Sequence, residues 1–500
     1  MGTSAKIIFF AFLQFVLSSI YTHFLCAQLV SDFRVNDNTN NYAQYAAKVG
    51  CDVEGNFVVV WYDERITENP RICGQIFNQN AQRLGNNFQI NNDQYQVFPS
   101  LYVRKNGSFI VAWSVIQTKF RLFNRYGIPI SDEIIVADST ASITSISADS
   151  SGNFVITWEQ YSSSFTKQIY CQIINSTGKL IGNRIKVNDD TGSYQHKNPA
   201  ISVRRDGSFI ITWEDSRPPA TESAEDIYMQ MYSKYGTPIG VNVKVSDDTV
   251  KFNKQSYPKI SSDTSGRFCI SFSNFNINEV QTDVECQLYN YDGSRFGNNF
   301  KIASRIIDEF NAAIYKKENG EIASGFSVDL GFRSRPYFQR INSSGTLIGE
   351  YFEVSDQVLF INQYYSDIVV WNNRIISLWS DERNGNFDVF CNIRSFSNPD
   401  STVGLNVIST EVPIEFKLFQ NFPNPFNSQT NIVFEVIKRS AYTLEIYNSL
   451  GIIISRFIYS NLNPGKYNIT YDASGLSSGV YYYSMNYGGS NSVKKFILVK

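Results

Sequence analysis

The stretch DGSFIITWED (residues 206–215) decides the fold, because its order of turn, apolar run and closing aromatic recurs along most of the chain. The copies are GNFVVVWYDER (55–65), NGSFIVAW (106–113), SGNFVITWE (151–159), SGRFCISF (265–272), NGEIASGF (319–326) and NNRIISLWSDER (372–383). Their closing aromatics are Trp61, Trp113, Trp158, Trp213, Phe272, Phe326 and Trp379. The mean spacing of about 53 residues predicts a repeat architecture.

Each repeat contains short alternating segments that predict β-strands. In the fourth unit they are RIKVN (184–188), NPAISVRR (198–205), SFIITWED (208–215) and IYMQMYS (227–233), joined by glycine-containing turns and without helical periodicity. Four-stranded units of this length, repeated seven times, are typical of a β-propeller. The sequence therefore predicts an all-β protein with a seven-bladed β-propeller over residues 29–396.

The two ends of the repeat region complement each other. SDFRVN (31–36) matches the outermost strand of a unit, whereas the seventh unit ends at FCNIRSF (390–396) without a matching strand after it. Pairing of these segments would close the ring and leave no sheet edge open. The connections between second and third strands, and between units, are long and variable, so we expect the binding face on their side.

The first 27 residues predict an export signal, since Lys6 precedes an apolar run (7–20) and Leu25-Cys26-Ala27 offers a cleavage site. No later stretch is long and apolar enough to predict a transmembrane segment. The formal net charge of −2 provides no basic footprint for nucleic acid. We therefore expect a mature protein that acts outside the inner membrane.

Six cysteines follow the predicted signal. Cys171, Cys286 and Cys391 share one register of the repeat, where other units carry Met or Phe. A position that accepts Met, Phe and Cys is a buried one, and equivalent positions of different units lie too far apart for a disulfide. We expect free thiols, and the alternative is a disulfide between Cys269 and Cys286 within one unit.

Residues 397–415 have little periodicity and predict a linker. Residues 416–500 contain short alternating segments punctuated by Pro and Gly, which predict a small immunoglobulin-like β-sandwich.

Several residues of this C-terminal segment form a recognisable set in QNFPNPFN (420–427), LEIYNSLG (444–451), GLSSGVYYY (475–483) and the last strand. They are Gln420, Asn421, Pro423, Asn424, Pro425, Phe426, Asn427, Gly451, Gly479, Lys494 and Lys495. The segment resembles the type A sorting domain of the Bacteroidota type IX secretion system. It departs from that family at Phe422, where Tyr is usual, and at Ser428, where Pro is frequent. The resemblance implies export by the type IX machinery and a secreted or surface-bound product.

The most repeated charged pattern is an Asp-x-Arg pair directly after the second strand of three units. The pairs are Asp63 with Arg65, Asp215 with Arg217, and Asp381 with Arg383. A spacing of two places both side chains on the same side of an extended segment, which favours a structural ion pair. Alternatively, arginines from several blades converge on an anionic sugar or carboxylate. We treat these residues as candidate ligand-binding residues.

His196 is the remaining candidate, and it is the only histidine after the predicted signal. It falls in a connection between two units, where we expect a solvated or hydrogen-bonded role. Ser-His-Asp catalysis or a histidine metal site would have to rely on this one residue.

Two further possibilities follow from loop composition. SADSSGNF (147–154) and SSDTSGRF (261–268) resemble the aspartate-box turn of the sialidases with one extra residue, although the sequence assigns no catalytic Tyr–Glu pair. The loops NDNTNN (36–41), NDDTG (188–192) and SDDT (246–249) offer oxygen ligands for calcium, but Asp and Asn are also ordinary turn residues. We expect no other cofactor.

The poverty of catalytic side chains favours a binding or scaffold protein that meets an extracellular glycan or protein. A sialidase-like hydrolase acting on glycans is the alternative.

Overall fold

The computed structural model describes residues 28–500 with short gaps. The gaps are residues 38–41, 66–69, 93–96, 115, 139–140, 163–164, 218–224, 247–252, 277, 279, 304–307, 332, 357–360, 397–405, 410, 439, 450, 452, 474–475, 477, 488–489 and 500. The predicted signal, much of the predicted linker and parts of two predicted calcium loops therefore lie outside the described residues. The described chain contains strands and no helix, and hence no helix suited to crossing a membrane.

Seven antiparallel sheets of four strands make up a compact unit, Gln28–Phe396. The chain begins with β1 (Gln28–Arg34), which belongs to the last of these sheets. Sheets 1 to 3 contain β2 (Gln44–Cys51), β3 (Phe57–Asp63), β4 (Arg71–Phe77), β5 (Phe88–Gln89); β6 (Val97–Val103), β7 (Phe109–Ser114), β8 (Thr118–Phe123), β9 (Ile134–Ala137); and β10 (Ala141–Ala148), β11 (Phe154–Tyr161), β12 (Lys167–Ile174), β13 (Leu180–Lys186).

Sheets 4 to 6 contain β14 (His196–Val203), β15 (Phe209–Asp215), β16 (Asp226–Tyr232), β17 (Pro238–Lys244); β18 (Lys254–Ser262), β19 (Phe268–Asn276), β20 (Gln281–Tyr289), β21 (Arg295–Lys301); and β22 (Glu309–Lys316), β23 (Ile322–Asp329), β24 (Ser334–Ile341), β25 (Leu347–Glu353). Sheet 7 contains β26 (Gln363–Trp371), β27 (Arg374–Asp381), β28 (Asp388–Ser395) and β1.

The first and last strands of this unit pair as the sequence predicts. Phe33 of β1 lies opposite Cys391 of β28, and Arg34 lies opposite Phe390. The first strands of the sheets also contact one another in cyclic order, from β2 through β6, β10, β14, β18 and β22 to β26, which contacts β2. The seven sheets therefore form a ring.

The second strand of each sheet is more deeply buried than its alternating sequence predicts. Every residue of β3, β7 and β15 is buried, because neighbouring sheets pack against both faces of these strands. Outer strands such as β17 remain largely exposed. The closing tryptophans of β3, β7, β11, β15 and β27 are fully buried, and burial of a side chain of this size contributes about 2–3 kcal/mol.

The tight turns follow from local chemistry. The Asp206 carboxylate accepts hydrogen bonds from the backbone N–H (3.0 Å) and hydroxyl (2.7 Å) of Ser208. Gly207 between them has a φ of 86°, which favours glycine. The Asp-Gly pair thus fixes the hairpin from β14 to β15.

The six described cysteines are free thiols, which confirms the expectation from the repeat register. Burial raises the pKa of the Cys51 and Cys73 thiols to about 12. Cys269 and Cys286 lie on the adjacent strands β19 and β20 and do not form a disulfide.

The second compact unit contains Ser397–Lys500 and two further sheets. One consists of β29 (Asn406–Ser409), β30 (Lys417–Leu418), β31 (Gln429–Val436) and β34 (Gly465–Asp472), and the other of β32 (Ser440–Tyr447), β33 (Ile453–Leu462), β35 (Gly479–Tyr487) and β36 (Ser490–Leu498). Phe434 and Ile432 from the first sheet share one hydrophobic core with Leu444, Tyr483 and Phe496 from the second.

Candidate functional site

Each Asp-x-Arg pair forms an ion pair within its own sheet. In sheet 4, Asp215 accepts a hydrogen bond from the indole N–H of Trp213 at 2.8 Å, and Arg217 donates Nε to the same carboxylate at 2.9 Å. The same arrangement occurs with Trp61, Asp63 and Arg65 in sheet 1 and with Trp379, Asp381 and Arg383 in sheet 7. The aspartate therefore anchors the buried tryptophan and the end of the second strand.

Each guanidinium also faces a second carboxylate. Its partners are Asp37 for Arg65, Asp189 for Arg217 and Asp32 for Arg383. These contacts are the ones expected of the structural interpretation, and the convergence of the arginines on one ligand stays a prediction. Asp63 and Arg65 also border a cavity of about 230 Å³.

His196 joins the Asp215 cluster. It begins β14 rather than lying in a connection, so its predicted loop position is wrong, because its backbone pairs with Asp215. The imidazole is fully buried, with Nε2 at 2.9 Å from Asp190 and 3.5 Å from Asp215. Its Nδ1 lies 3.1 Å from the backbone carbonyl of Lys167. The predicted hydrogen-bonded role, rather than the solvated one, matches these contacts.

The described parts of the predicted calcium loops are engaged in other contacts. Asn36 donates to Asp388, Asp37 pairs with Arg65, and Asp189 and Asp190 pair with Arg217 and His196. Within the described ranges, no group of three or more His, Cys, Asp or Glu side chains is arranged to hold a metal ion.

A channel of about 540 Å³ is lined by the first strands of all seven sheets. Each of these strands carries a register irregularity, and four of the residues there have positive φ: Ala46, Phe98, Asn198 and Tyr257. Such bulges re-aim side chains and are frequent beside functional sites. Phe98 and Tyr257 line the channel with 44% and 50% of their surface exposed.

One residue from each sheet occupies the same register in this channel, opposite the residue that precedes the closing aromatic. We name these seven the ring residues: Lys48, Ser100, Ser145, Ala200, Lys259, Ala313 and Asp367. Because they share one register in a cyclic array, they form a single layer across the channel.

The charged ring residues interact with one another. Burial lowers the pKa of Lys259 to about 8, and the positive charge of Lys48 acts in the same direction, whereas Asp367 and Glu214 oppose the shift. The Asp367 carboxylate accepts the backbone N–H of Val49 at 3.0 Å. Lys48 and Lys259 have no hydrogen-bonded or ion-paired side-chain partner in the described part of the chain.

Two buried carboxylates hold the residues of the neighbouring bulges. Glu159 accepts a hydrogen bond from the backbone N–H of Asn198 at 2.9 Å. Glu214 accepts two hydrogen bonds of 2.6 Å, one from the side-chain amide of Asn198 and one from the backbone N–H of Tyr257. Burial raises the pKa of Glu214. Both glutamates directly follow a closing tryptophan, so the same position of two units links each sheet to the next one at the channel wall.

The predicted sorting residues lie in the second unit, where the segment 420–427 packs against β36. Asn421 is buried and donates to the Pro423 carbonyl (3.0 Å) and the Thr430 hydroxyl (2.9 Å). Asn424 accepts the backbone N–H of Ile497 at 2.9 Å, and Phe426 packs on Phe496. Both peptide bonds that precede Pro423 and Pro425 are cis.

The remaining sorting residues occupy turns and strands of the same unit. Gly451 has a φ of 78°, and Gly479 begins β35 opposite Leu498. Lys494 and Lys495 pair with Tyr483 and Tyr482 across the last two strands. Gln420 donates to the Lys495 carbonyl at 2.6 Å.

Residues 420–500 match the family model described as a secretion system C-terminal sorting domain. The C-terminal unit carries a sorting domain. This match agrees with the type IX resemblance noted in the sequence, and it indicates export to the cell surface or into the medium. No protein with a curated description matches the chain.

Several solved structures are similar to this chain. The polysaccharide lyase Uly1 has 9% identity and a TM-score of 0.49, covering 75% of this chain and 98% of the lyase. A protein of unknown function from Dyadobacter fermentans has 9% identity and a TM-score of 0.45, covering 74% and 100%. The GH93 α-L-arabinofuranosidase of Fusarium graminearum has 11% identity and a TM-score of 0.43, covering 73% and 97%.

The sequence interpretation missed the charged ring residues. Because Lys48, Lys259 and Asp367 do not recur between units, a search for repeated charged residues does not find them. One signal was available: Pro follows the bulge residue in FPSL (98–101), NPAI (198–201) and YPKI (257–260). Because Pro cannot donate to a sheet ladder, its presence inside a strand indicates a bulge.

Proposed function

We propose that the protein is a secreted, seven-bladed β-propeller that binds an extracellular ligand in its central channel and is exported by its C-terminal immunoglobulin-like sorting domain. The observation that carries this proposal is the channel itself. All seven sheets contribute residues to it, and its volume of about 540 Å³ lies in the range of small-molecule sites.

The lining also supports binding. Exposed aromatic faces at Phe98 and Tyr257 lie near Lys48 and Lys259, which lack side-chain partners among the described residues. Glu159 and Glu214 hold the neighbouring bulges in position. A rigid wall whose polar and aromatic groups are held in place orients a ligand at low entropic cost.

The test is a glycan and matrix-protein array probed with the mature protein, followed by titration of the ligand that binds. Ser366→Trp fills the channel and should abolish binding, because Ser366 is part of the lining. Val241→Trp is the matched control, since Val241 lies on the outer strand β17 with 70% of its surface exposed. Equal binding by both variants would place the ligand elsewhere.

A second candidate is a glycan hydrolase, and one observation favours it. Asn198 lies between two buried carboxylates, Glu159 and Glu214, and the raised pKa of Glu214 is the property of a general acid. A panel of chromogenic glycosides and polysaccharides separates the two functions. If the protein turns over a glycan and Glu214→Gln abolishes that turnover, the protein is a hydrolase and the binding proposal is wrong. If variants of Arg65, Arg217 or Arg383 abolish turnover, these arginines belong to the catalytic site.

A further inference from the structure

The ring residues carry an excess of positive charge. Two of the seven are lysines and one is an aspartate, while the others are Ser or Ala. These residues come from sheets 1, 5 and 7, so only the closed ring brings their charges into one layer.

The charges are unequally satisfied. The Asp367 carboxylate already accepts the backbone N–H of Val49, and Glu214 accepts hydrogen bonds from Asn198 and Tyr257. The side chains of Lys48 and Lys259 lack such acceptors in the described ranges. An ammonium group taken partly out of water without an acceptor is costly, and the lowered pKa of Lys259 is the electrostatic expression of that cost. A bound anion would supply the missing acceptor.

The surroundings indicate the body of the ligand. Tyr257 lies two residues before Lys259 and Phe98 two residues before Ser100, so exposed aromatic faces adjoin the ring residues. Aromatic faces bind apolar or ring-shaped bodies, whereas Asp367 and the single excess charge disfavour a polyanion.

We infer that the channel binds an organic monoanion whose carboxylate lies between Lys48 and Lys259 and whose body rests against Phe98 and Tyr257. This inference rests on the proposed function, because it specifies the ligand of the same channel.

Calorimetric titration of the mature protein tests this inference with three probes. Glucuronate and hexanoate distinguish sugar acids from other carboxylates, and glucose is the neutral counterpart of glucuronate. We expect at least one carboxylate to bind, and glucose to bind more weakly by about tenfold or more. Lys259→Met and Lys48→Met should each weaken carboxylate binding about tenfold, whereas Lys259→Arg retains it.

The control variant is Lys105→Met, which removes an exposed lysine from the turn after β6 and should leave affinity unchanged. Binding to the natural chain should also weaken as the pH rises through about 8, where Lys259 loses its proton, and should not do so in Lys259→Arg. Lys48, Asp367 and Glu214 are the other charged groups that act on Lys259. Asp367→Asn, which keeps an acceptor for Val49, should strengthen binding.

Equal binding of glucose and glucuronate, an unchanged affinity in Lys259→Met, or no carboxylate binding at millimolar concentration would each overturn the inference. If an array ligand then still depends on Ser366, the channel function stands and only its ligand class is wrong. If the array ligand is indifferent to Ser366→Trp, the proposed function itself fails.

Discussion

Replacing Asp381 with alanine should destabilise the seven-sheet unit strongly. Its buried carboxylate accepts hydrogen bonds from Trp379 at 2.9 Å and Gln363 at 2.6 Å, and it pairs with Arg383. Alanine leaves the indole and amide donors buried without an acceptor, at about 1–3 kcal/mol each. Arg383 keeps Asp32 as an ion-pair partner, so the substitution does not leave the guanidinium without a counter-charge. We therefore expect a loss of about 4 kcal/mol, within the range for breaking a buried ion pair.

Urea unfolding followed by tryptophan fluorescence measures this loss selectively, because all 6 tryptophans lie before residue 397. The matched control is Asp292→Ala, which removes the same charge from an exposed turn where Asp292 accepts only from Ser294. We expect the control to cost about 1 kcal/mol or less. If Asp381→Ala unfolds at the same urea concentration as the control, the contacts of Asp381 do not stabilise the end of the strand.

Four further outcomes are expected. Lys259→Met should stabilise the protein by about 3 kcal/mol at pH 7, because the folded chain releases the Lys259 proton near pH 8 and the unfolded chain near its ordinary value of 10.5. This advantage should vanish as the pH rises through that interval, as measured by urea unfolding of both proteins. Gly325→Ala should cost about 3 kcal/mol, because a Cβ would overlap the ring of Tyr365, and combination with Tyr365→Leu should cost less than the sum of the single changes. Asn421→Ala should reduce the fraction of protein found at the surface or in the medium by immunoblot, whereas exposed Asn491→Ala should not. A thiol reagent should titrate the six cysteines only after denaturation, and a count of four in the denatured protein would reveal a disulfide.

The repeated parts of the fold could be predicted from the sequence because each is fixed locally. An Asp-Gly turn, an apolar strand and a closing tryptophan specify one hairpin wherever they occur, as residues 206–215 do. The pairing of β1 with β28 could also be predicted by counting strands. The last unit lacks its outermost strand, and the first strand of the chain has no unit of its own, so the two complete each other.

The candidate site was harder to predict, because it depends on residues that do not repeat. Lys48, Lys259 and Asp367 are separated by more than a hundred residues in sequence and meet only through the cyclic arrangement of the sheets. The deep burial of His196 was missed for a related reason. Its two carboxylate neighbours come from a preceding loop and the following strand, and only the packed sheet places them around the ring.

The pairing of β1 with β28 has a consequence for the order of assembly. Asn36 accepts the backbone N–H of Val389 across 353 residues of chain, so sheet 7 cannot form until almost the whole repeat region is available. Bringing such distant segments together costs about 5 kcal/mol of chain entropy, which earlier sheets reduce by shortening the effective loop. Completion of the last sheet is therefore a late folding event. An exported chain reaches its native state only after β1 and β28 are on the same side of the membrane.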